Sequence, residues 1–278
     1  MSICTELKRS RRTPILAIQR SIDCTHMNHR SSLPRRFLDL LRAGIVACCG
    51  GLLLVGLGVP ARTGAAAEPT KIGIVGAGKM GGTLAELWAK AGHEVMISSR
   101  HPEELKAQAQ AIGPKVHVGT VRDAAAFGPV VLIAMPYGKW PEISDEIKSE
   151  TVGKTVIDLT NPYPDRDGPM AEQARKETTG IANPKYLPGA HLVRAFNSII
   201  YTDLRSQAHR AGEPVAVAVA GDDANAVSVT SQLVRDAGFE PVMVGPLSSA
   251  KLFDVDTPTY VKVMTAPELR KALGLPAK

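Results

Sequence analysis

A glycine-rich turn between a short apolar run and a helical run constrains the fold of this chain more than any other feature. The apolar run is Lys71–Val75, and the helical pattern spans Met80–Ala91. The turn between them consists of Gly76, Ala77, Gly78, Lys79, Met80 and Gly81. Glycines in G-x-G-x-x-G spacing leave backbone N–H groups free for a diphosphate at the positive end of a helix. We therefore predict that this turn binds a dinucleotide, with a turn kept only for packing as the alternative.

Short apolar runs alternate with amphipathic stretches from Lys71 onward, which is the pattern of a parallel sheet with helices on both faces. We predict eight strands: Lys71–Val75, Glu94–Ser98, Lys115–Val118, Val130–Met135, Thr155–Leu159, Leu192–Phe196, Val215–Ala220 and Glu240–Val244. The predicted helices include Met80–Ala91, Met170–Thr178 and Asp223–Ala237. Only about 34 residues follow the last strand, fewer than a second domain needs. The prediction is one doubly wound, mostly parallel α/β (Rossmann) domain over residues 68–278.

The first 67 residues are predicted to be a leader outside this domain. An apolar run at 43–59 follows several arginines and precedes an alanine triplet at 65–67. This is the order of basic, apolar and small-residue regions in a secretory signal. The pair Arg35-Arg36 resembles a twin-arginine signal, with Met27 as the working start. We expect export to the periplasm. An uncleaved membrane anchor and a wrongly assigned start, with a cytoplasmic protein, are the alternatives.

Charge and cysteine content exclude several functions for residues 68–278. The whole chain has a formal charge of +6, but the leader holds 10 of the Lys and Arg residues and only 3 of the Asp and Glu residues. The rest is near neutral and lacks the clustered basic sequence that nucleic-acid binding requires. The four cysteines, Cys4, Cys24, Cys48 and Cys49, also lie in the leader. We therefore expect no disulfide, thiolate metal site or cysteine nucleophile in the domain.

The end of the second predicted strand distinguishes NADP from NAD. An NAD-binding domain typically places a carboxylate there for the ribose 2′-OH, whereas a 2′-phosphate needs hydroxyls and a cation. This chain has Ser98, Ser99 and Arg100, about 20 residues beyond the glycines, as the motif requires. These residues predict NADP as the cofactor. The alternative is a solvated loop in which Arg100 pairs with Glu103 or Glu104.

Polar and aromatic residues follow three further strands at the edge where parallel sheets bind ligands. Met135, Pro136 and Tyr137 follow the fourth strand, Asn161 the fifth and Asn197 the sixth. We predict that these residues contact the cofactor, with Pro136, Asn161 and Asn197 fixing the nicotinamide ring and its carboxamide. Tyr137, together with Trp140, is predicted to stack on a planar partner. A turn-forming role for the asparagines and a core role for the aromatic rings are the alternatives.

The sequence offers no general acid or base of the kind that dehydrogenases of alcohols and acids need. Most histidines of the domain fall at helix ends, in turns or on a peripheral strand, and His191 opens its strand at the end away from the predicted site. Motifs for metal ligands, serine hydrolases and Walker lysines are also missing. We therefore predict no catalytic side chain and no metal. Hydride exchange between two organic cofactors fits, because each ring carries its own charge changes.

The motifs at the glycine turn, Ser98–Arg100, Ala134–Tyr137, Asn161-Pro162 and Ala195–Asn197 together resemble the NADPH-dependent coenzyme F420 reductases, also called F420:NADP oxidoreductases. The resemblance covers roughly Lys71–Gly245. It implies hydride transfer between NADP(H) and a deazaflavin (F420) or a flavin, usually by a homodimer. This family also includes the reductase domain of eukaryotic metalloreductases, which passes electrons to flavin.

The resemblance also assigns residues to parts of the cofactor. It implies that the three glycines of the turn hold the pyrophosphate, that Ser98 and Arg100 hold the 2′-phosphate, and that Pro136 and Asn197 lie beside the nicotinamide.

Three functions remain open at this point. The first is an NADP(H)-dependent oxidoreductase with a flavin-like acceptor. The second is an imine or hydroxyacid reductase, which would need a helical dimerisation domain. The third is an exported, non-catalytic dinucleotide-binding or sensor protein. The expected partners are small molecules and a second copy of the chain. Neither nucleic acid nor a membrane is expected, apart from an uncleaved leader.

Overall fold

A computed structural model describes residues 68–277 of the chain. The predicted leader, its twin-arginine signal and its start at Met27 lie outside the described residues. The strands are β1 (Lys71–Val75), β2 (Glu94–Ser98), β3 (Val116–Gly119), β4 (Val130–Ile133), β5 (Thr155–Asp158), β6 (His191–Arg194), β7 (Ala216–Gly221) and β8 (Glu240–Gly245). The α-helices are α1 (Lys79–Lys90), α2 (Lys106–Ile112), α3 (Val121–Phe127), α4 (Trp140–Thr151), α5 (Pro164–Asp167), α6 (Pro169–Glu177), α7 (Thr179–Ala182), α8 (Tyr201–Gln207), α9 (Ala224–Asp236) and α10 (Ala266–Ala272).

The eight strands form one sheet in the order β3-β2-β1-β4-β5-β6-β7-β8. Strands β1 to β6 are parallel, β7 is antiparallel to β6, and β8 is parallel to β7. The chain therefore winds outward in both directions from β1 and β4, which confirms the predicted doubly wound, mostly parallel fold. The space outside the carboxyl ends of β1 and β4 is the topological switch point, where such sheets bind ligands.

Side chains of the central strands alternate between two apolar layers. Val130 and Leu132 of β4 pack in one layer, together with Trp88 of α1. Val131 and Ile133 pack in the other layer, with Trp140 of α4. Burial on both faces explains why the strands read as nearly continuous apolar runs. The Trp88 indole nitrogen also donates a hydrogen bond to the Leu233 carbonyl (2.8 Å), which ties α1 to α9.

The central strands end earlier than the sequence predicted. β4 ends at Ile133, β5 at Asp158 and β6 at Arg194. The apolar runs continue beyond these points, and in the last of them Phe196 has a left-handed backbone with φ of +61°. The predicted site residues after β4, β5 and β6 therefore lie on loops that leave the carboxyl edge. Across residues 68–277, no helix has the length and apolar character required to span a membrane.

Candidate functional site

The glycine turn lies at the switch point, between β1 and the first turn of α1. Gly76 has φ of +103°, and a Cβ there would lie 2.5 Å from the Ala134 carbonyl oxygen. A Cβ at Gly81 would lie 2.0 Å from the Gly76 carbonyl oxygen, whereas a Cβ at Gly78 would meet nothing within 4 Å. Gly76 and Gly81 thus permit close packing of the backbone, and Gly78 keeps an open approach. Those are the separate tasks of the three glycines in a dinucleotide-binding turn.

The amino terminus of α1 has no side-chain cap and no acidic residue in its first turn. The first N–H groups of a helix have no partner within the helix and carry a partial positive charge. An anion that approaches Gly78 would therefore meet backbone donors, without a carboxylate that competes for them. This arrangement suits a diphosphate.

A cavity of about 200 Å³ lies on one side of the turn; we call it the cationic cavity. Its lining residues are Val75, Gly76, Ala77, Ser98, Ser99, Arg100, Val121, Met135, Pro136, Lys139, Glu142 and Ile143. The Arg100 side chain forms no ion pair within residues 68–277. Glu103 pairs with His101 instead, with 3.6 Å between His101 Nδ1 and Glu103 Oε1. The alternative in which Arg100 pairs with Glu103 or Glu104 is therefore not what the structure contains.

The two serines of this cavity differ in what their hydroxyls can do. Ser98 is completely buried, and its hydroxyl donates to the Ile74 carbonyl at 2.8 Å. A hydroxyl has one proton, so Ser98 has no donor left for a phosphate, and the prediction that it binds the 2′-phosphate needs correction. Ser99 accepts a hydrogen bond from the His101 N–H (3.0 Å), which leaves its own proton available.

Lys139 is a second cation of the cationic cavity, and the sequence analysis missed it. Its Nζ lies 2.7 Å from Glu142 Oε2. The hydrogen bond from Lys139 lowers the pKa of the exposed Glu142 carboxyl, and Arg100 adds to this effect. Glu142 therefore stays ionised and partly offsets the two cations. The signal in the sequence was weak, because Lys139 lies 39 residues beyond Arg100 and belongs to the short helical turn Tyr137–Lys139.

A larger cavity, of about 350 Å³, lies on the other side of the turn; we call it the aromatic cavity. Its lining residues are Gly78, Lys79, Met80, Ala134, Met135, Pro136, Leu159, Thr160, Asn161, Tyr163, Arg166, Phe196, Asn197, Ile199, Ile200, Tyr201, Tyr260 and Val261. Met135 and Pro136 line both cavities. Residues of the glycine turn line both cavities as well, and the aromatic cavity also has two cations, Lys79 and Arg166, in its wall.

Asn161 and Asn197 both line the aromatic cavity, but their amide hydrogens already have partners. Asn161 Nδ2 donates to the Asn197 carbonyl (2.8 Å) and to the Tyr260 hydroxyl (3.2 Å). Asn197 Nδ2 donates to the Phe253 carbonyl (3.2 Å) and lies 3.4 Å from Asp254 Oδ1. The buried Oδ1 of Asn197 has no hydrogen-bond partner in the described part of the chain. Asn161 therefore positions its neighbours, whereas Asn197 retains an acceptor.

Tyr137 and Trp140 do not form the predicted stacking platform. Tyr137 is 1% exposed and donates its hydroxyl to Asn183 Oδ1 at 2.7 Å. Trp140 is fully buried, donates its indole N–H to Thr160 Oγ1 (3.0 Å), and stacks on Tyr186. Both rings belong to the core, so the predicted contact of Tyr137 with a cofactor is wrong. Their apolar area stabilises the core beneath Pro136 instead.

A buried ion network lies beneath the aromatic cavity. Arg194 is fully buried, with Nη1 3.1 Å from Asp158 Oδ2 and Nη2 2.8 Å from Asp254 Oδ1. Burial alone would lower the pKa of Arg194, but the two carboxylates outweigh it and raise that pKa. Asp158 also accepts hydrogen bonds from the backbone N–H and hydroxyl of Thr160. The network fixes the loops after β5 and β6 to the segment after β8.

Three further residues of the aromatic cavity were missed by the sequence analysis. Tyr163 and Tyr260 contact each other through their hydroxyls, and the guanidinium of Arg166 lies over the Tyr163 ring at 4.9 Å. Tyr260 belongs to the stretch after β8, which carries no motif. Tyr163 and Arg166 lie just beyond the Asn161-Pro162 motif, in a stretch to which we assigned no site residue, and Arg166 belongs to the short helix α5.

A protein metal site needs several ligand side chains close together, and we predicted none. Residues 68–277 contain no group of three His, Cys, Asp or Glu side chains arranged to hold a metal ion. The buried carboxylates of Asp158 and Asp254 are both engaged by Arg194.

The fold and the two cavities define a dinucleotide-binding Rossmann domain. Residues 71–162 match the sequence model of the family described as NADP oxidoreductase, coenzyme F420-dependent. The matched region contains the glycine turn, Arg100, Lys139 and Asn161. This match and the similar proteins together indicate an NADP-dependent oxidoreductase.

Similar proteins agree with this assignment. The F420-dependent NADP reductase of Methanothermobacter thermautotrophicus is 27% identical over 218 residues, which are 73% of this chain and 92% of that protein. The rat metalloreductase STEAP3 is 26% identical over 188 residues, 66% of this chain, but this chain spans only 36% of the rat protein. A crystal structure of a hypothetical protein from Sinorhizobium meliloti is 25% identical, with a TM-score of 0.63, over 71% of this chain and 96% of that one.

Proposed function

We propose that this protein transfers hydride between NADP(H) and a planar acceptor of the deazaflavin (F420) or flavin type. The observation that carries the proposal is the pair of cavities that meet at Met135 and Pro136. One is charged and suits the phosphate end of the cofactor, and the other is aromatic and large enough for ring systems. A dinucleotide laid across the glycine turn would enter both.

The cationic cavity suits the 2′-phosphate of NADP. Arg100 has no carboxylate partner within residues 68–277. A guanidinium binds a phosphate group more strongly than it binds a ribose hydroxyl. Ser99 adds a hydroxyl with a free proton, and Lys139 adds a second positive charge. Glu142 limits the net charge of the cavity and would repel the phosphate weakly. The balance of two cations against one carboxylate favours NADP over NAD.

The diphosphate and the nicotinamide would follow in order along the site. The open face of Gly78 and the uncapped terminus of α1 would hold the diphosphate. The nicotinamide would lie against Pro136. Asn197 lines the same cavity, and its buried Oδ1, which has no partner among the described residues, would accept from the carboxamide N–H once the cofactor is bound. Bound NADPH supplies the hydride, so the protein needs only to orient the rings and exclude water.

The remaining volume of the aromatic cavity would take the acceptor. Phe196, Tyr163, Tyr201 and Tyr260 are among its lining residues, and aromatic walls favour planar conjugated ligands. The names of two relatives point the same way, since one is an F420-dependent NADP reductase and another is a metalloreductase. A cavity shaped for rings also favours this acceptor over the small substrates of imine or hydroxyacid reductases.

Two other functions make different predictions. An imine or hydroxyacid reductase of this fold group would carry a long helical dimerisation domain, and the longest helix within residues 68–277 has 13 residues. A sensor would bind NADP without turnover. Export through the leader, with a periplasmic location, and a homodimeric state remain part of our proposal, supported by the sequence pattern at 35–67 and by the family resemblance.

Titration of the purified chain with NADP and NAD, followed by NADPH oxidation with F420 or FMN as acceptor, tests the proposal. We expect tighter binding of NADP than of NAD and turnover with at least one acceptor. Binding without turnover would favour the sensor, and equal affinity for the two dinucleotides would count against the role of the cationic cavity. Fractionation of cells that produce the full chain, with and without Arg35 and Arg36 replaced by Lys, tests export.

A further inference from the structure

Two tyrosine hydroxyls meet at the wall of the aromatic cavity. Tyr163 lies on the loop after β5 and Tyr260 on the segment after β8, 97 residues apart in sequence. Both side chains line the cavity, and their hydroxyls share a hydrogen bond. The Tyr260 oxygen also accepts a hydrogen bond from Asn161 Nδ2 at 3.2 Å. The pair therefore connects the loop after β5 with the segment after β8.

A count of donors shows that the pair has one proton more than its bonds require. Each phenol has one O–H donor, and one of the two protons is used in the shared bond. Asn161 adds another donor rather than an acceptor, so it cannot take the second proton. Neither hydroxyl forms any other hydrogen bond within residues 68–277. Whichever tyrosine donates to the other, one phenolic O–H remains free at the cavity wall.

The surroundings hold this pair in place. Asn161 is fixed at both ends of its amide, since Nδ2 also donates to the Asn197 carbonyl (2.8 Å) and Oδ1 lies 3.4 Å from Arg194 Nη2. The backbone next to Tyr260 is tied to the loop after β6, because the Val261 N–H donates to the Ser198 carbonyl at 2.9 Å. Burial, followed by the hydrogen bond with Tyr163, raises the pKa of Tyr260. Tyr260 therefore keeps its proton at neutral pH.

We propose that the free O–H of the Tyr163–Tyr260 pair donates a hydrogen bond to a carbonyl oxygen or ring nitrogen of the acceptor and stabilises its reduced form. This inference rests on the proposed function. A hydride brings two electrons to the acceptor ring, NADPH becomes NADP⁺, and the acceptor gains one negative charge until a proton from solvent neutralises it. A fixed donor aimed at the atom where charge develops lowers the barrier, because it needs no reorientation during the reaction.

The geometry predicts an unusual pattern for substitutions. In Tyr260→Phe, Tyr163 keeps its own proton, and in Tyr163→Phe, Tyr260 keeps its proton. Each single variant therefore retains one donor, and we expect kcat with FMN or F420 to fall less than about 10-fold. The double variant retains none, and we expect a fall of about 100-fold or more, the loss typical of a removed oxyanion donor. Tyr186→Phe, whose ring packs on Trp140 outside both cavities, is the matched control.

A binding measurement separates this role from a structural one. Dissociation constants of oxidised and of reduced FMN are measured for the wild type and the double variant, with NADP affinity and the unfolding midpoint as checks on folding. We expect the double variant to weaken binding of the reduced form more than that of the oxidised form, with NADP affinity retained. Equal weakening of both forms, or a double loss equal to the product of the single losses, would overturn the proposal.

Failure of the proposed function is visible separately in the wild type. If the wild-type protein binds NADP but transfers no hydride to FMN or F420, the proposed function fails and this inference with it. If the wild type turns over and the double variant turns over equally well, only the inference about the phenol pair fails.

Discussion

Arg194 Nη2 and Asp254 Oδ1 lie 2.8 Å apart, although the two residues are separated by 60 positions in the chain. Arg194 is completely buried at the end of β6, and Asp254 begins the segment that carries Tyr260. Asp254 also accepts hydrogen bonds from the hydroxyl and N–H of Thr179. One carboxylate therefore joins the start of α7, the end of β6 and the segment after β8. The wall of the aromatic cavity depends on this junction.

We therefore expect Asp254→Asn to lower the free energy of unfolding by about 1.5–3 kcal/mol, the range for hydrogen bonds to charged groups. Asp158 remains to compensate Arg194, so the loss stays below that of a fully orphaned buried charge. Urea unfolding of wild type and variant measures it. Asp256→Asn is the control, because Asp256 is largely exposed and its ion pair with Arg175 is a surface pair, worth at most about 1 kcal/mol. Equal losses in both variants would contradict the role of the junction.

Arg100→Glu tests the cationic cavity. The change replaces a cation without a carboxylate partner in the described region by an anion beside the proposed 2′-phosphate. We expect NADP binding to weaken by roughly 1.5–3 kcal/mol, while NAD, which lacks the phosphate, loses much less. Equilibrium titration with both dinucleotides measures the difference.

Arg205→Glu serves as its control, since Arg205 is exposed and lies 3.8 Å from Glu86, outside both cavities. The same loss for NADP and NAD in Arg100→Glu, or a comparable loss in the control, would count against a phosphate site at Arg100.

The two neighbouring serines of the cavity give opposite predictions. Ser98→Ala removes a buried hydrogen bond to the Ile74 carbonyl, so we expect a stability loss of about 0.5–1.5 kcal/mol and an unchanged preference for NADP. Ser99→Ala removes a hydroxyl that has a free proton, so we expect unchanged stability and a loss of roughly 1 kcal/mol in NADP affinity. Thermal unfolding and NADP titration of both variants check this. A stronger effect of Ser98→Ala on NADP affinity would reverse our assignment.

The local parts of the site were predictable from the sequence. β1, the glycine turn and α1 are consecutive, and Ser99 and Arg100 follow the next strand, so spacing alone brings them together. Whether a side chain is free is not a local property. Ser98 and Tyr137 are polar residues at the expected positions, but their hydroxyls are used by Ile74 and Asn183. Burial and hydrogen-bond partners decide whether a hydroxyl is available to a ligand. The pattern of residue types in the sequence does not reveal either of them.

The distant parts of the site could not have been predicted in the same way. Lys139 and Tyr260 line the cavities, and Asp254 binds Arg194, through contacts that are distant in sequence. Tyr260 lies in a stretch that has no motif. The strand ends were also overestimated, because Phe196 reads as a continuation of an apolar strand although its backbone is left-handed. Such a conformation is costly for a bulky residue, and the sequence alone does not reveal it.

Alanine substitutions at two glycines of the turn are expected to have different effects, one on NADP binding and the other on stability. A Cβ at Gly78 would lie in open space, so we expect Gly78→Ala to fold with a stability within about 0.5 kcal/mol of wild type and to bind NADP at least 10-fold more weakly. A Cβ at Gly81 would lie 2.0 Å from the Gly76 carbonyl oxygen, so Gly81→Ala must shift the backbone and is expected to cost about 1–3 kcal/mol of stability. Unfolding curves and NADP titrations of the two variants distinguish these effects. Normal NADP binding by Gly78→Ala would contradict the proposed path of the diphosphate.

Asp167 links the turn after β4 to the loop that carries Tyr163, and its role depends on pH. Its two carboxylate oxygens accept hydrogen bonds from the N–H groups of Gly138 and Tyr163, both at 3.0 Å, and from the Arg166 guanidinium. Burial alone would raise the pKa of Asp167, but the bonds from Arg166 and the two backbone groups outweigh burial and lower it. A depressed pKa means that the ionised form stabilises the fold above the pKa of the unfolded state, about 3.9. This contribution is lost as the pH falls through the lower pKa of the folded state.

We therefore expect Asp167→Asn to destabilise the protein by about 1.5–3 kcal/mol at neutral pH, because an amide cannot accept at both of its ends. The difference in stability between wild type and variant should shrink as the pH falls below about 3.9. The carboxyl of the unfolded wild type takes up a proton there, so the advantage of the ionised folded form is progressively lost. Urea unfolding between neutral and acidic pH measures this. Asp165→Asn is the matched control, since Asp165 is exposed two residues away and is expected to change stability by less than about 0.5 kcal/mol. A difference between wild type and Asp167→Asn that stays constant down to the lowest pH would show that charge is not the cause.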